Sequence, residues 1–489
     1  MSHEGRVLPL PPQGAYTAFR SRQPIPGIHG IPMKTCFLIP FLGLPALSAC
    51  RKDDAADFTV SVVLNEVNPN VVALDWTTDA PGVSWVEFGA DTSYGSATPP
   101  GHAEETAHHV SLFGVQPLST VHWRAVTETA SGTLEATGSV LVGNVPVDLP
   151  GLEVLVSDPS RYSSEKYFLG SIVGNRAQLF IADREGTPLW YWDVNADYGG
   201  DNVLMSRVDF RRDSREILYE TYTWDLDPQY SGLHQVTLEG ERVSSTPVAN
   251  CHHGFTERGD GAILVHVADI RPWYDEEEDL TVDVCGDVIL QVFPDGRQEQ
   301  LFNAWDWEPV TKTWRSSAAS QYGDALDWTH ANGIEWFASD DTILYSMGHL
   351  ARILEMDATT GEILRTFGDG GIEVLPPNLP FEFQHSPNWT PEGNLVMTTD
   401  PARGQIMAVE YDVAPEGLSE VWSYGKDESF DSLAAGEVLR LANGNTLFNV
   451  GTTGTILEIT PDGDVVWSLV VDLGEAFTWI RPFDSFYLE

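Results

Sequence analysis

Residues 383–395 read Phe-Gln-His-Ser-Pro-Asn-Trp-Thr-Pro-Glu-Gly-Asn-Leu, which places a histidine just ahead of a strand, a glycine turn and a second strand. Residues 251–265 and 327–344 repeat this layout, each around a histidine of their own. His253 and His385 stand at the same distance before the turn glycine. Because a recurring layout is the signature of a repeat architecture, we take the repeat as the unit that decides the fold.

A second kind of unit alternates with these histidine segments. It has a strand, an Asp-Gly-like turn and a strand that ends in aromatic residues. The two kinds together make four strands, the size of one propeller blade. Counting pairs gives five blades, and the unpaired unit at 178–192 can close a sixth with the strands of 477–487. The sequence therefore predicts an all-β fold with a six-bladed β-propeller over residues 151–489, and seven blades are the nearest alternative.

Residues 58–145 have a different pattern of short alternating strands, separated by turn residues at intervals suited to a small sandwich. Trp76, the run Val86-Glu87-Phe88-Gly89 and the run Leu118-Ser119-Thr120 resemble a fibronectin type III module. We therefore expect a fibronectin type III-like β-sandwich here, ahead of the propeller.

Residues 1–50 carry a targeting pattern. Met33-Lys34 precedes a short apolar run that ends in Leu47-Ser48-Ala49-Cys50, as in a secretory signal peptide. The last four residues resemble the bacterial lipobox, whose cysteine is lipidated. We expect a non-native start, a lipoprotein signal peptide over Met33–Cys50 and a linker at 51–57. The mature protein would be exported and lipid-anchored in a bacterial cell envelope, with a periplasmic or an outer-membrane position both open.

The charge balance and the cysteines restrict the partners and the chemistry. The formal net charge is -45, from 72 acidic and 27 basic residues, which argues against binding to nucleic acid or to an anionic membrane surface. Membrane contact is therefore expected through the lipid anchor only. Outside the signal, Cys251 and Cys285 remain. In an oxidising compartment they form either a disulfide or two buried thiols.

The histidines of the repeat are the main candidates for function. The innermost strand of each propeller blade lines the central channel, so His253, His330 and His385 are expected to converge there from three neighbouring blades. His252 competes with His253 for the inward position. Arg207 precedes a comparable strand and is a candidate for the same ring. Converging imidazoles could bind zinc, or one could attack an electrophile while the others stabilise the developing charge.

Several segments resemble bacterial arylsulfate sulfotransferases, in the order that the family has them. The most specific is Asp-Trp-Thr-His-Ala-Asn at residues 327–332. The resemblance covers roughly residues 178–467. The other matching segments are residues 252–255, 383–385, 441–447 and 459–467.

The resemblance implies an exported six-bladed propeller that moves a sulfuryl group from an aryl sulfate to a phenol, without a nucleotide sulfate donor, a cofactor or a metal. His385 matches the histidine that carries the sulfuryl group between the two half-reactions. His330 and one of His252 and His253 match residues that stabilise the sulfate oxygens or handle the proton. A homodimer is left open.

One departure from the family concerns an arginine. The family carries an arginine–histidine pair after the strand at 342–346, where this chain has Gly348 and His349. Loss of a guanidinium would remove transition-state stabilisation for a sulfate. Arg403 matches another family arginine and Arg207 could also substitute, so we expect Arg403, His349 and Arg207 to bind substrate.

Two other functions fit the same pattern. One is a non-catalytic surface propeller that binds a ligand or a partner protein at its channel mouth. The other is a metal-dependent hydrolase or lyase that uses the same histidines.

Overall fold

The computed structural model describes residues 57–487, except for 146–148, 175–176, 200–202, 224, 313–321, 323, 402–404, 427, 429, 433–435 and 473. The predicted signal peptide, the predicted lipidation site Cys50 and most of the predicted linker at 51–57 lie outside the described residues, as does Arg403. Among the described residues, no helix has the length and apolar character that a membrane crossing needs.

The N-terminal sheet is organised around one long strand. The first half of this strand pairs with β1 and β4 and its second half pairs with β3 and β5, while β5 also pairs with β6. Its alternating side chains, including Trp76, pack into a core of their own. The likeness to a fibronectin type III module remains a prediction. The strands are β1 (Val60–Leu64), β2 (Val72–Gly89), β3 (Ser96–Ala97), β4 (Glu105–Leu112), β5 (Thr120–Thr129) and β6 (Gly132–Leu141).

Six antiparallel sheets follow within the described residues, and their innermost strands adjoin one another in sequence order around a ring. This arrangement is a six-bladed β-propeller, so the predicted fold class is confirmed. The first blade contains β8 (Tyr167–Val173), β9 (Gln178–Asp183) and β10 (Pro188–Asp193). The second contains β11 (Val208–Phe210), β12 (Ile217–Thr221), β13 (Gly232–Val236) and β14 (Arg242–Pro247). The third contains β15 (Cys251–Glu257), β16 (Ile263–Asp275), β17 (Leu280–Val292) and β18 (Gln298–Asn303), with β19 (Leu326–Asp327) beside β17.

The last three blades carry the same four-strand pattern. The fourth blade contains β20 (Ala331–Phe337), β21 (Thr342–Met347), β22 (Arg352–Asp357) and β23 (Ile363–Gly368). The fifth contains β24 (His385–Trp389), β25 (Leu395–Thr399), β26 (Met407–Ala414) and β27 (Gly417–Tyr424). The sixth contains β28 (Glu437–Arg440), β29 (Thr446–Asn449), β30 (Thr455–Ile459) and β31 (Val465–Val471). The short helices are α1 (Val194–Asp197), α2 (Ala304–Trp307) and two 3₁₀ turns at Gly348–Leu350 and Gly451–Thr453.

The ring is closed by strands from both ends of the propeller sequence. The C-terminal strand β32 (Ala476–Phe483) pairs with β8 and becomes the innermost strand of the first blade. This pairing is the closure expected from the unit at 178–192. At the other end, β7 (Leu152–Ser157) pairs with β31 and widens the last blade to five strands.

A buried ion-pair network joins the inner strands near this closure. Arg481 of β32 donates to Asp209, Glu335 and Glu437, which belong to three other blades, over 3.0 to 3.2 Å. Arg207 lies 2.8 Å from Glu335 and 3.1 Å from Asp209. The network therefore ties the closing strand to the rest of the ring.

Candidate functional site

The three repeat histidines share one local backbone irregularity. The pairing of β15, β20 and β24 with the next strand shifts register at the histidine segment, between Cys251 and Phe255, Ala331 and Gly333, and His385 and Asn388. His253 and His330 have left-handed backbones with φ of 55° and 50°, and Ser386, next to His385, has φ of 47°. Such irregularities re-aim side chains and are frequent next to active sites, so the same device positions all three histidines.

The histidine rings form one cluster with Phe383. The ring centroids of His253 and His330 are 5.0 Å apart, those of His330 and Phe383 are also 5.0 Å apart, and those of Phe383 and His385 are 5.1 Å apart. Three blades therefore bring their histidines together as the repeat predicts. Phe383 was not among the predicted site residues, because its place between two histidine rings depends on how neighbouring blades meet.

His253 and His252 have different surroundings, and these show which of the two rings faces the cluster. The ring of His253 contacts His330 and is partly exposed, whereas His252 is fully buried. Burial, reinforced by the neighbouring histidines, holds the pKa of His253 well below its usual value, so this ring is neutral. The structure thus places His253 in the cluster and His252 behind it.

Asp287 lies behind His252 and was also missed by the sequence analysis. One carboxylate oxygen accepts hydrogen bonds from the Thr329 hydroxyl and the Ala331 backbone N–H, at 2.5 and 2.6 Å. The other oxygen lies 3.0 Å from Nε2 of His252. Burial alone would raise the pKa of Asp287, but the His252 and Thr329 contacts outweigh it and lower the pKa. The available signal was a single acid in the apolar run Val284 to Val292.

Asp327 orients His330 and His349. Its carboxylate lies 2.6 Å from Nδ1 of His330, and its backbone carbonyl accepts from Nδ1 of His349 at 2.7 Å. The two imidazole rings stack with their centroids 4.5 Å apart. Because the Nδ1 atom of each ring faces Asp327, the Nε2 atom of each ring points away from Asp327.

Asp327, His330 and His349 also form a group that could hold a metal ion, because their donor atoms lie within 4.8 Å of one another. Two imidazoles and a carboxylate are donor types that suit zinc. Hydrogen bonds to Asp327 already account for the orientation of both rings, so we treat the group as a hydrogen-bonded cluster.

Gly348 lies next to Asn332. A Cβ at residue 348 would lie 2.6 Å from Nδ2 of Asn332 and 3.2 Å from the Phe383 ring. The Asn332 carbonyl oxygen accepts from Ser346 at 2.8 Å, while its Nδ2 is buried without a hydrogen-bond partner among the described residues. The space for a long side chain is therefore filled, and an amide donor points into the same region.

Arg207 and the two cysteines differ from the predictions. The Arg207 guanidinium is bound by the ion-pair network and by the Ile334 carbonyl at 2.9 Å, which suits a structural role rather than substrate binding. Cys251 and Cys285 are free, buried thiols, so the disulfide alternative is wrong. They lie on β15 and β17 with β16 between them, which separates the backbones too far for a disulfide.

Among the described residues, two clefts of about 350 Å³ are lined by the N-terminal sheet and the propeller, at Phe113 and Tyr487 among other residues. They contain none of the clustered histidines. The convergence of reactive groups, rather than cavity size, therefore locates the candidate site.

Comparisons with known proteins find similar sequences. The family model described as arylsulfotransferase (ASST) matches residues 154–371. The arylsulfate sulfotransferase AssT of Lelliottia amnigena is 21% identical over 330 residues, which cover 52% of this chain and 53% of that protein. The AssT of Escherichia coli O6:H1 is 22% identical over 345 residues, covering 56% of this chain and 57% of that protein. The chain thus spans about half the length of the curated relatives it matches.

Among solved structures, the β-propeller domain of Cps50 (Swd1) from Myceliophteria thermophila is 12% identical, with a TM-score of 0.36 over 61% of this chain and 82% of that one. A likeness this weak does not bear on the fold, which rests on the strand order described above. The family likeness stands on the sequence: residues 154–371 match the family model described as arylsulfotransferase (ASST).

Proposed function

We propose that this protein transfers a sulfuryl group from an aryl sulfate to a phenol, with His385 as the nucleophile. The observation that carries the proposal is the contact between Nδ1 of His385 and the Phe383 carbonyl oxygen, at 3.1 Å. A carbonyl oxygen can only accept, so a neutral His385 carries its proton on Nδ1. Its Nε2 therefore holds the lone pair that a nucleophile needs.

In the first half-reaction, Nε2 of His385 attacks the sulfur, a nitrogen–sulfur bond forms and the bond from sulfur to the phenolic oxygen breaks. In the second, the oxygen of the acceptor phenol attacks the sulfur and the nitrogen–sulfur bond breaks. Sulfuryl transfer resembles phosphoryl transfer in requiring donors around three oxygens. Nδ2 of Asn332 is the neutral donor we assign to that task, and Nε2 of His330, whose Nδ1 donates to Asp327, becomes a second donor when that ring is protonated.

Mass spectrometry of the protein mixed briefly with 4-nitrophenyl sulfate tests this function. We expect a sulfo adduct on His385, and release of nitrophenol that is lost in His385→Ala. His109→Ala, which changes an exposed histidine of the N-terminal sheet, is the control and should react like wild type. Full activity in His385→Ala would disprove the assignment, and wild type that turns over no aryl sulfate would favour a ligand-binding propeller.

We also propose that the protein is exported and anchored by a lipid on Cys50. The motif Leu47-Ser48-Ala49-Cys50 supports this proposal. Labelling of cells with a fatty-acid analogue should mark the wild-type protein and leave Cys50→Ala unlabelled. Label on both proteins, or on neither, would contradict the anchor.

A further inference from the structure

The paired histidines are built to share one proton. Nδ1 of His252 and Nδ1 of His253 lie 2.8 Å apart, and the two rings are nearly perpendicular at 86°. At that distance one nitrogen donates and the other accepts, so a single proton lies between them. His252 is fully buried, so His253 is the ring of the pair that contacts the histidine cluster.

Asp287 determines where the other proton of His252 resides. Its Oδ1 lies 3.0 Å from Nε2 of His252, although the pair is not aligned for an ideal hydrogen bond. Its Oδ2 is held by the Thr329 hydroxyl and the Ala331 N–H, which support a carboxylate that can only accept. A fixed carboxylate beside one ring nitrogen keeps the proton on that nitrogen. His252 therefore gains or loses a proton at Nδ1.

We propose that Asp287, His252 and His253 form a proton relay for the acid–base steps of the sulfuryl transfer, an inference that rests on the function proposed above. In the loaded state His252 is an imidazolium, with Nδ1–H donating to His253 and Nε2 of His253 protonated. In the unloaded state the shared proton sits on Nδ1 of His253, and its Nε2 holds a lone pair. His252 and Asp287 are positioning residues that act through His253.

The relay balances the protons of the two half-reactions. When the bond from sulfur to the donor oxygen breaks, Nε2–H of His253 protonates the leaving oxygen, and the shared proton moves from His252 to His253. When the acceptor phenol attacks the sulfur, Nε2 of His253 takes the phenol proton, and the shared proton returns to His252. One proton is given and one is recovered in each cycle, while Asp287 stays ionised throughout.

Aromatic and imidazole rings also pack against the pair, among them His330, whose ring centroid lies 5.0 Å from that of His253. His266 stacks on His252 with centroids 5.8 Å apart, and burial lowers its pKa to about 3, so it is neutral. The Tyr322 hydroxyl lies 3.3 Å from Nδ1 of His252, and the Tyr222 ring lies 6.2 Å from His253. Asp287 is a carboxylate held 3.0 Å from Nε2 of His252, and it is the group to which we assign stabilisation of the imidazolium.

The leaving group offers a sharp test, because phenols differ in how much they need a proton. Nitrophenol leaves readily as an anion, whereas unsubstituted phenol, with a pKa near that of tyrosine at about 10, benefits from an acid. Asp287→Asn should slow the single-turnover release of phenol from phenyl sulfate about 10²-fold or more, the usual range for general acid catalysis. Release of nitrophenol from 4-nitrophenyl sulfate should change far less.

His109→Ala, which changes an exposed histidine of the N-terminal sheet, is the control, since it leaves Asp287 and both relay histidines in place. Any loss in this variant should be equal for the two donors. Equal loss for both donors in Asp287→Asn, or no loss for either, would overturn the relay.

A second measurement needs no variant and no activity. In ¹⁵N-histidine NMR spectra of the full chain, Nε2 of His252 should be protonated at neutral pH, and an unprotonated Nε2 would overturn the relay. If wild type forms no sulfo adduct with either donor, the proposed transfer fails, whereas this spectrum still tests the proton arrangement. The two failures are therefore distinguishable.

Discussion

Gly348 packs so tightly against Asn332 that a Cβ at that position would lie 2.6 Å from the amide nitrogen Nδ2. Asn332 and Phe383 therefore occupy the space that a long side chain at residue 348 would need. The site presents a neutral amide where a cation is expected. Sulfate oxygens would then rely on neutral donors and on protons that histidines supply.

Gly348→Ala should destabilise the protein by about 1–3 kcal/mol, the usual cost of forcing a methyl group into a packed site, and should lower the transfer rate. The backbone of Gly348 is not left-handed, so the cost comes from the contact itself. Urea unfolding measures it. Gly101→Ala is the control, because the nearest atom to its new methyl group lies 3.6 Å away. Wild-type stability in Gly348→Ala would contradict the close packing.

Arg481→Met should reduce the free energy of unfolding by about 3–5 kcal/mol, because it leaves the buried Glu437 without its cation and leaves Asp209 and Glu335 with Arg207 alone. The comparison is Arg161→Met, whose partner Asp464 and whose own side chain are both exposed. That variant should unfold like wild type in urea. Equal behaviour of the two variants would show that the ion-pair network does not hold the closing strand.

Glu220→Gln should change the pH dependence of stability. Burial raises the pKa of Glu220 to about 8, so below that pH the folded protein holds a proton that the unfolded chain releases near pH 4.5. The free energy of unfolding contributed by this group therefore falls as pH rises from about 4.5 to 8, by roughly 1.4 kcal/mol per pH unit.

Glutamine resembles the protonated acid and does not titrate. We expect Glu220→Gln to match wild type in urea near pH 5 and to be more stable than wild type near pH 8.5. Glu437, whose pKa burial raises to about 7, is present in both proteins and cancels in the comparison. The same difference at both pH values would argue against a buried, protonated Glu220.

Dialysis against a chelator should leave sulfuryl transfer unchanged, because Asp327 already engages Nδ1 of His330 and of His349 by hydrogen bonds. Metal analysis of the dialysed protein and an assay with 4-nitrophenyl sulfate check this expectation. Tightly held zinc, together with activity that disappears on chelation and returns with zinc, would instead support a metal-dependent hydrolase or lyase.

The repeat made much of the fold predictable, since a histidine or a charged residue lies at or near the start of five inner strands and the unpaired unit at 178–192 required a closing strand. Residues whose roles depend on contacts between strands could not be found in this way. Asp287 lies on the third strand of its blade and reaches His252 on the first. The state of Cys251 and Cys285 depends equally on strand order, which local patterns do not reveal.

The closure of the ring also determines when the propeller can finish folding during synthesis. Ser171 of β8 and Thr478 of β32 are hydrogen bonded at 2.7 Å, yet 307 residues separate them along the chain. At about 5–20 residues per second, a ribosome needs roughly 15 to 60 seconds to make the intervening segment. For that time the growing chain carries an apolar, unpaired strand edge that could recruit other nascent chains. A molecular chaperone that covers β8 until the last strand emerges would therefore raise the yield of the native ring.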